Sequence, residues 1–134
     1  MNKNPYELQL REELNQIFAG SYDKMDIIPD YPLVIGLKIL SVLTEYACKG
    51  QNTEPILLAR NQLKKIPIGW LIQFFPEVAQ KNIDFEDEWE FRRLLELVHE
   101  AIPHLLKKYI EYGLMSQNEE VKEAAEDFVS KIIH

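Results

Sequence analysis

The residues best able to do chemistry crowd into one stretch, Asp84 to His99, which reads DFEDEWEFRRLLELVH. Asp84, Glu86, Asp87, Glu88 and Glu90 are carboxylates, the groups that hold hard cations or act as general acids and bases. Neither chemistry has its pattern here. The EF-hand spacing with its glycine is missing, and no second acidic cluster is spaced for a two-metal site. Carboxylates at a helix start instead satisfy its free N–H groups and its dipole, with Asp84 or Asp87 as the cap. The remaining use of such a cluster is to meet a basic partner. Trp89, Arg92, Arg93 and Glu96 follow at i, i+3, i+4 and i+7, on one stripe of the same helix. Arg93 can pair along the helix with Glu90, Glu96 or Glu100. With Trp89 half exposed beside Arg92, the two would form a binding anchor, because Trp and Arg dominate interface hot spots. The partner-binding candidates are therefore Trp89, Arg92 and Glu88. Trp70, in the first turn of its helix, reads first as core packing and joins them as a partner-binding candidate if it walls a groove.

Other candidates lead to quieter chemistry. His99 and His104 superficially resemble a zinc-protease helix motif, but they are five residues apart and Pro103 lies between them, so they share no helix face. His134 is terminal and reads as a frayed end. The five glycines are scattered and build no phosphate loop, and no serine sits in a nucleophile-elbow context. Cys48 is the only cysteine, which excludes an intramolecular disulfide and a cysteine-based zinc site and suits a reducing cytosol. Its apolar neighbours mark it as a small buried hydrophobe. No catalytic constellation, metal site or cofactor site emerges.

Helices must position these residues. Asn4-Pro5-Tyr6-Glu7 is a capping-box start for a helix running to about Phe18, with Leu10, Leu14, Ile17 and Phe18 inward and Gly20 as its stop. Ser21 to Asp30 reads as a connection; Tyr22 and Tyr31 flank it, which suits either a binding loop or a hairpin cover. Asp30 can cap a second helix over Tyr31–Lys49, apolar around most of its circumference and so central to the N-terminal half. Thr53 can cap a third from Glu54 to about Lys65, burying Ile56, Leu57, Ala59 and Leu63. The fourth runs from Pro67 to about Asn82, with a kink expected at Pro76. The organising helix spans about Glu86 to Ala101, with Phe91, Leu94, Leu95, Val98 and Ile102 on one face. Pro103 opens the next, which closes near Gly113 with Leu114 inward. Ser116-Gln117-Asn118-Glu119 is a capping box for the last, which buries Val121, Ala124, Ala125, Phe128 and Ile132. No segment alternates with period two, so the chain reads as all-α, six to eight helices in one domain.

The helical pattern recurs. Phe91-Arg92 aligns with Val121-Lys122, Leu94-Leu95 with Ala124-Ala125, and Val98 with Phe128. The final fifty residues resemble HEAT repeats, with EAIPHLLKKYIEYGL as a first helix and NEEVKEAAEDFVSKI as a second, Lys122 standing where Arg is usual and Phe128 where Leu is usual. Pro67 to Val98 looks like a more divergent copy, and Ala59 and Leu63 hint at a third. The resemblance implies N-terminal helices over residues 1–66 and two stacked hairpins over 67–134, an α-α superhelix in which neighbours share one core. It also implies that Arg92 pairs with an acidic residue at a neighbouring hairpin's turn. HEAT-like scaffolds mostly bind other proteins, so the architecture says little about activity.

Charge narrows the partner. The formal net charge of −7 disfavours nucleic acid, whose binding draws on Lys and Arg, and favours a basic protein. The most apolar run, Tyr31 to Cys48, is broken by Lys38 and Glu45, short of the ~20 residues of a membrane span. The N-terminus lacks the apolar core of a signal peptide. These features point to a cytoplasmic, non-catalytic interaction module, an adaptor or immunity-type protein. A self-assembling subunit, such as a homodimer, is the alternative. A HEAT-like DNA glycosylase is the third reading, against the sign of the charge and the shortness of the chain.

Overall fold

The computed structural model describes residues 4–132; His134 lies outside them. Within that range the chain is all-α. Seven helices, α1 (Pro5–Ile17), α2 (Leu33–Lys49), α3 (Thr53–Lys64), α4 (Ile68–Asn82), α5 (Glu88–Ala101), α6 (Leu106–Leu114) and α7 (Glu119–Ile132), are accompanied by three 3-10 turns, two between α1 and α2 and one between α5 and α6, and no strand occurs among the described residues.

Helix starts follow local chemistry. The Asn4 carboxamide accepts from the Tyr6 and Glu7 N–H groups and Pro5 occupies the first turn, as its sequence predicts. Asp87 caps α5 by accepting from the Glu90 N–H at 3.0 Å. Three expected starts are different. Asp30 does not cap α2: Pro32 forces Tyr31 into extended backbone, so the helix begins at Leu33 with no side-chain cap. Thr53 lies inside α3, and Asn52 before it spends its amide on the Tyr6 hydroxyl at 3.2 Å. Asn118, not Ser116, caps α7, accepting from the Glu120 N–H at 3.0 Å while Ser116 accepts from the Asn118 N–H.

The helix α2 is the axis of the molecule. It packs against α1, α3, α4 and α5, and Ile39, Leu40, Leu43 and Ala47 are completely buried. Its exposed positions are the charged Lys38, Glu45 and Lys49 and, among its apolar residues, only Leu33 and Val34 in the first turn, 50% and 66% exposed. The segment Ser21 to Asp30 is no open loop. It winds into two 3-10 turns that bury Tyr22, Met25 and Ile28, with the Tyr31 hydroxyl donating to the Lys24 carbonyl at 2.6 Å. A left-handed Gly20, φ 81°, lets the chain reverse into this cover.

Helix α4 continues through Pro76 without a break, since Leu71, Phe75, Val78 and Ala79 are buried on both sides of the one missing N–H. Both α4 and α5 lean on α2 more than on each other, while α6 and α7 pack as a close hairpin that α5 joins through α7. Phe91, Leu94, Leu95, Val98 and Ile102 are all completely buried, as the spacing predicts, and Leu97 is buried with them. The helix α6 closes at Leu114, beside Gly113 as expected, and the glycine has a second use. A Cβ there would lie 2.6 Å from the Ala125 Cβ and 2.7 Å from the Phe91 ring, so glycine is what lets α6 reach α5 and α7. Leu114 and Ile132, expected inside, are exposed as the last residues of their helices, and Leu57, also expected inside, is exposed within α3.

Candidate partner-binding surface

The start of α5 is held from three directions before any partner is considered. Its buried face anchors it to α2 and α7. The turn before it is closed by the Asp87 N–H donating to the Asp84 carbonyl (3.1 Å) and the Glu86 N–H donating to the Asp84 carboxylate (2.9 Å). Glu90 reaches back to accept from the Asp84 N–H at 3.0 Å. On this frame Trp89 stands outward, 67% exposed. It borders a recess of about 530 Å³ formed with Lys49, Gly50 and Gln51 from the end of α2 and with Asp87, Glu90 and Arg93.

Beside Trp89 the charges are paired. Arg92 donates to Glu88, one turn earlier, and to Asp127 on α7, each at about 3.0 Å. Partial burial opposes the Arg92 charge, but the Asp127 and Glu88 hydrogen bonds outweigh it and hold its pKa above the ordinary value. The expected partner at a hairpin turn is thus replaced by one in the body of α7, because Arg92 lies level with the middle of that helix. Arg93 pairs with Glu96 at 3.2 Å, one of its expected partners.

Glu96 is shared. It also meets Arg60 of α3 at 3.3 Å, and Arg60 meets Glu100 at 3.8 Å, where Lys64 joins at 3.7 Å. Arg60 is only 6% exposed. A buried guanidinium needs several acceptors to be tolerated, which makes this network a clamp between α3 and α5. Nothing in the spacing of α3 singles out Arg60, because its acidic partners come from α5.

Trp70 belongs elsewhere. It is half-buried, packed over Gly36 with a Cβ there only 3.0 Å from its ring, and leaning on Phe74 at 5.0 Å between ring centres. Gly36 lies near one end of α2 and Lys49 at the other, roughly 20 Å apart along the helix at 1.5 Å per residue. Trp70 and Trp89 therefore do not share a face. Trp89, Glu88 and Arg92 come together; Trp70 supports the fold.

Cys48 lies at the bottom of the Trp89 recess, 2% exposed. Burial pushes its thiol up to about 12, so it is neutral and unreactive at ordinary pH.

A second concavity flanks the other side of the α5 start. It is a groove of about 930 Å³ between the end of α4, the turn at Asp84–Glu86, and α6. Phe85, Tyr109 and Tyr112 line it, and Met115, 84% exposed, stands at its edge. Tyr109, inward by its helical spacing, is indeed buried at 3% exposure, whereas that inward pattern does not single out Phe85, Tyr112 or Met115. The available signal was the Tyr109/Tyr112 spacing, which turns two rings toward one side of α6.

No family model, no curated protein and no solved structure matches this chain. No described helix is long and apolar enough to cross a membrane.

Proposed function

We propose that the protein is a non-catalytic interaction module whose partner docks on the start of α5, with Trp89 as the anchor and the Glu88–Arg92–Asp127 array as its fixed polar border. The observation that carries this reading is the 67% exposure of Trp89 on a helix whose opposite face is completely buried. A large aromatic side chain in water, on a backbone with little freedom left, binds at low entropic cost. Net charge −7 favours a basic partner protein over nucleic acid, and the cytosol is the compartment this reading assumes.

The HEAT-like architecture is part of the same proposal. Glu86 meets Asn118, Arg92 meets Asp127 and His99 meets Phe128, so α5 and α7 run side by side in one direction. That is the relation expected of equivalent helices in successive repeats. Self-assembly is the second reading, favoured by the exposed Leu33 and Val34. Light scattering separates the two, since only self-assembly gives a concentration-dependent mass for the isolated chain.

The test is a quantitative pull-down from a lysate of the source organism. Wild type should retain a stoichiometric protein that a Trp89→Ala/Arg92→Ala variant, still melting cooperatively, loses. Retention by the variant, or no capture by wild type, would sink the proposal.

A further inference from the structure

We propose that the aromatic groove between α4, the Asp84–Glu86 turn and α6 receives the basic side chains of an extended peptide segment of a partner protein. This extends the interaction reading to a second site, and it rests on that reading only in taking the occupant to be a protein.

The floor is aromatic and arranged. Phe85 meets Tyr112 edge to face at 5.3 Å between ring centres, and Tyr109 at 5.9 Å. Such rings present faces that attract cations. One of them already does so: the Lys108 ammonium lies 5.6 Å from the centre of the Tyr109 ring. Tyr109 itself is only 3% exposed, so Phe85 and Tyr112 are the rings left for a ligand's cation.

The rim carries the complementary charge. Asp84, Glu86 and Glu111 border the groove against Lys108 alone. Among the described residues no three carboxylate, histidine or cysteine groups converge closely enough to hold a metal ion. Separated carboxylates over an aromatic floor suit a chain of spaced cations rather than a point charge. Burial, then the Glu86 charge and hydrogen bond, then Asp84, raise the Tyr112 hydroxyl above its ordinary pKa, so both carboxylates are felt at that ring.

Two further features fit a peptide. The groove, about 930 Å³, is at the large end of the ~300–1,000 Å³ typical of ligand sites, room for several side chains. Met115 offers a mobile apolar contact for the alkyl stems of Lys or Arg. The rim is also fixed in advance, because the Asn118 carboxamide donates to the Glu86 carbonyl at 3.1 Å and the turn hydrogen bonds hold Asp84. A prepared site loses less freedom on binding.

The experiment follows methionine methyl signals by NMR while a capped glycine-arginine-lysine-arginine-glycine peptide is titrated in. A matched peptide with glutamine at the three basic positions is the control. The Met115 methyl should shift saturably with the basic peptide and stay put with the glutamine peptide, while buried Met25 does not move. Removing two exposed carboxylates, in a Glu86→Gln/Glu111→Gln variant, should weaken binding by about fivefold or more, and added salt should weaken it too. An unmoved Met25 signal certifies the fold of the variant. Absence of a saturable Met115 shift, equal response to both peptides, or undiminished affinity in the variant would overturn the proposal. The titration is read at Met115 on the isolated chain and the pull-down at the Trp89 surface, so failure here and failure of the pull-down are separate results.

Discussion

Trp70 and Trp89 begin as similar residues in similar places, each near the start of an apolar-faced helix, yet one is framework and the other is surface. The difference comes from what other elements bring. Trp70 meets Gly36, whose missing side chain leaves room for an indole on α2, and Phe74 from its own helix. Trp89 meets the end of α2, where the chain has already turned away at Gly50, so the ring is left standing over a recess. Exposure is thus decided by a distant glycine and by where a neighbouring helix stops.

The contrast can be stressed in three ways. The largest effect is expected beneath Trp89. The Cys48 thiol has an ordinary pKa of 9.0 and is pushed up to about 12 in the fold, so between those values the unfolded chain sheds a proton that the folded chain keeps. Stability should be unaffected by Cys48 below pH 9 and fall above it, by an amount on the order of a few kcal/mol. Tyr46, raised to about 12 by burial and by Glu13, adds to the same decline from about pH 10. Urea melts across pH 8–11 measure it, and Cys48→Ala should flatten the early part; an unchanged profile would mean that Cys48 is solvated in solution.

Next comes the direct comparison. Trp70→Ala should lower unfolding free energy by about 2–3 kcal/mol, since it strips a ring from Gly36 and Phe74. Trp89→Ala should stay within about 0.5 kcal/mol of wild type. Equal losses would erase the distinction drawn between them. The smallest effect concerns the border of the site. A double-mutant cycle on Arg92 and Asp127 should give a coupling of about 0.2–1 kcal/mol, reduced by salt, because Asp127 is mostly solvated. A larger, salt-insensitive coupling would mark the pair as part of the core.

Much of this was legible in the residues. Periodicity placed the buried face of α5, and the breakers placed every helix to within a few positions. Asn4 and Asp87 act as caps because their chemistry is local. What spacing could not give was anything set by a contact far along the chain. Gly113 marks the end of its helix in the sequence, but its role in close packing shows only when Phe91 and Ala125 are seen against it. Arg60 carries no signal of burial until Glu96 and Glu100 are brought over from α5. Tyr22 and Met25 read as loop until the 3-10 turns fold them onto α1 and α2. The candidate site divides the same way: Trp89, Glu88 and Arg92 are one turn apart and could be grouped from sequence, whereas Trp70 was grouped with them by residue type alone. The aromatic groove needed three elements to meet, and no one segment announces it.

The most direct test of the Trp89 surface uses its own fluorescence. In a Trp70→Phe variant Trp89 is the only indole, and acrylamide quenching reports its access to solvent. The isolated protein should quench readily, and saturation with the captured partner should suppress quenching several-fold. Strong quenching that persists in the complex would place the interface elsewhere and contradict the role assigned to Trp89.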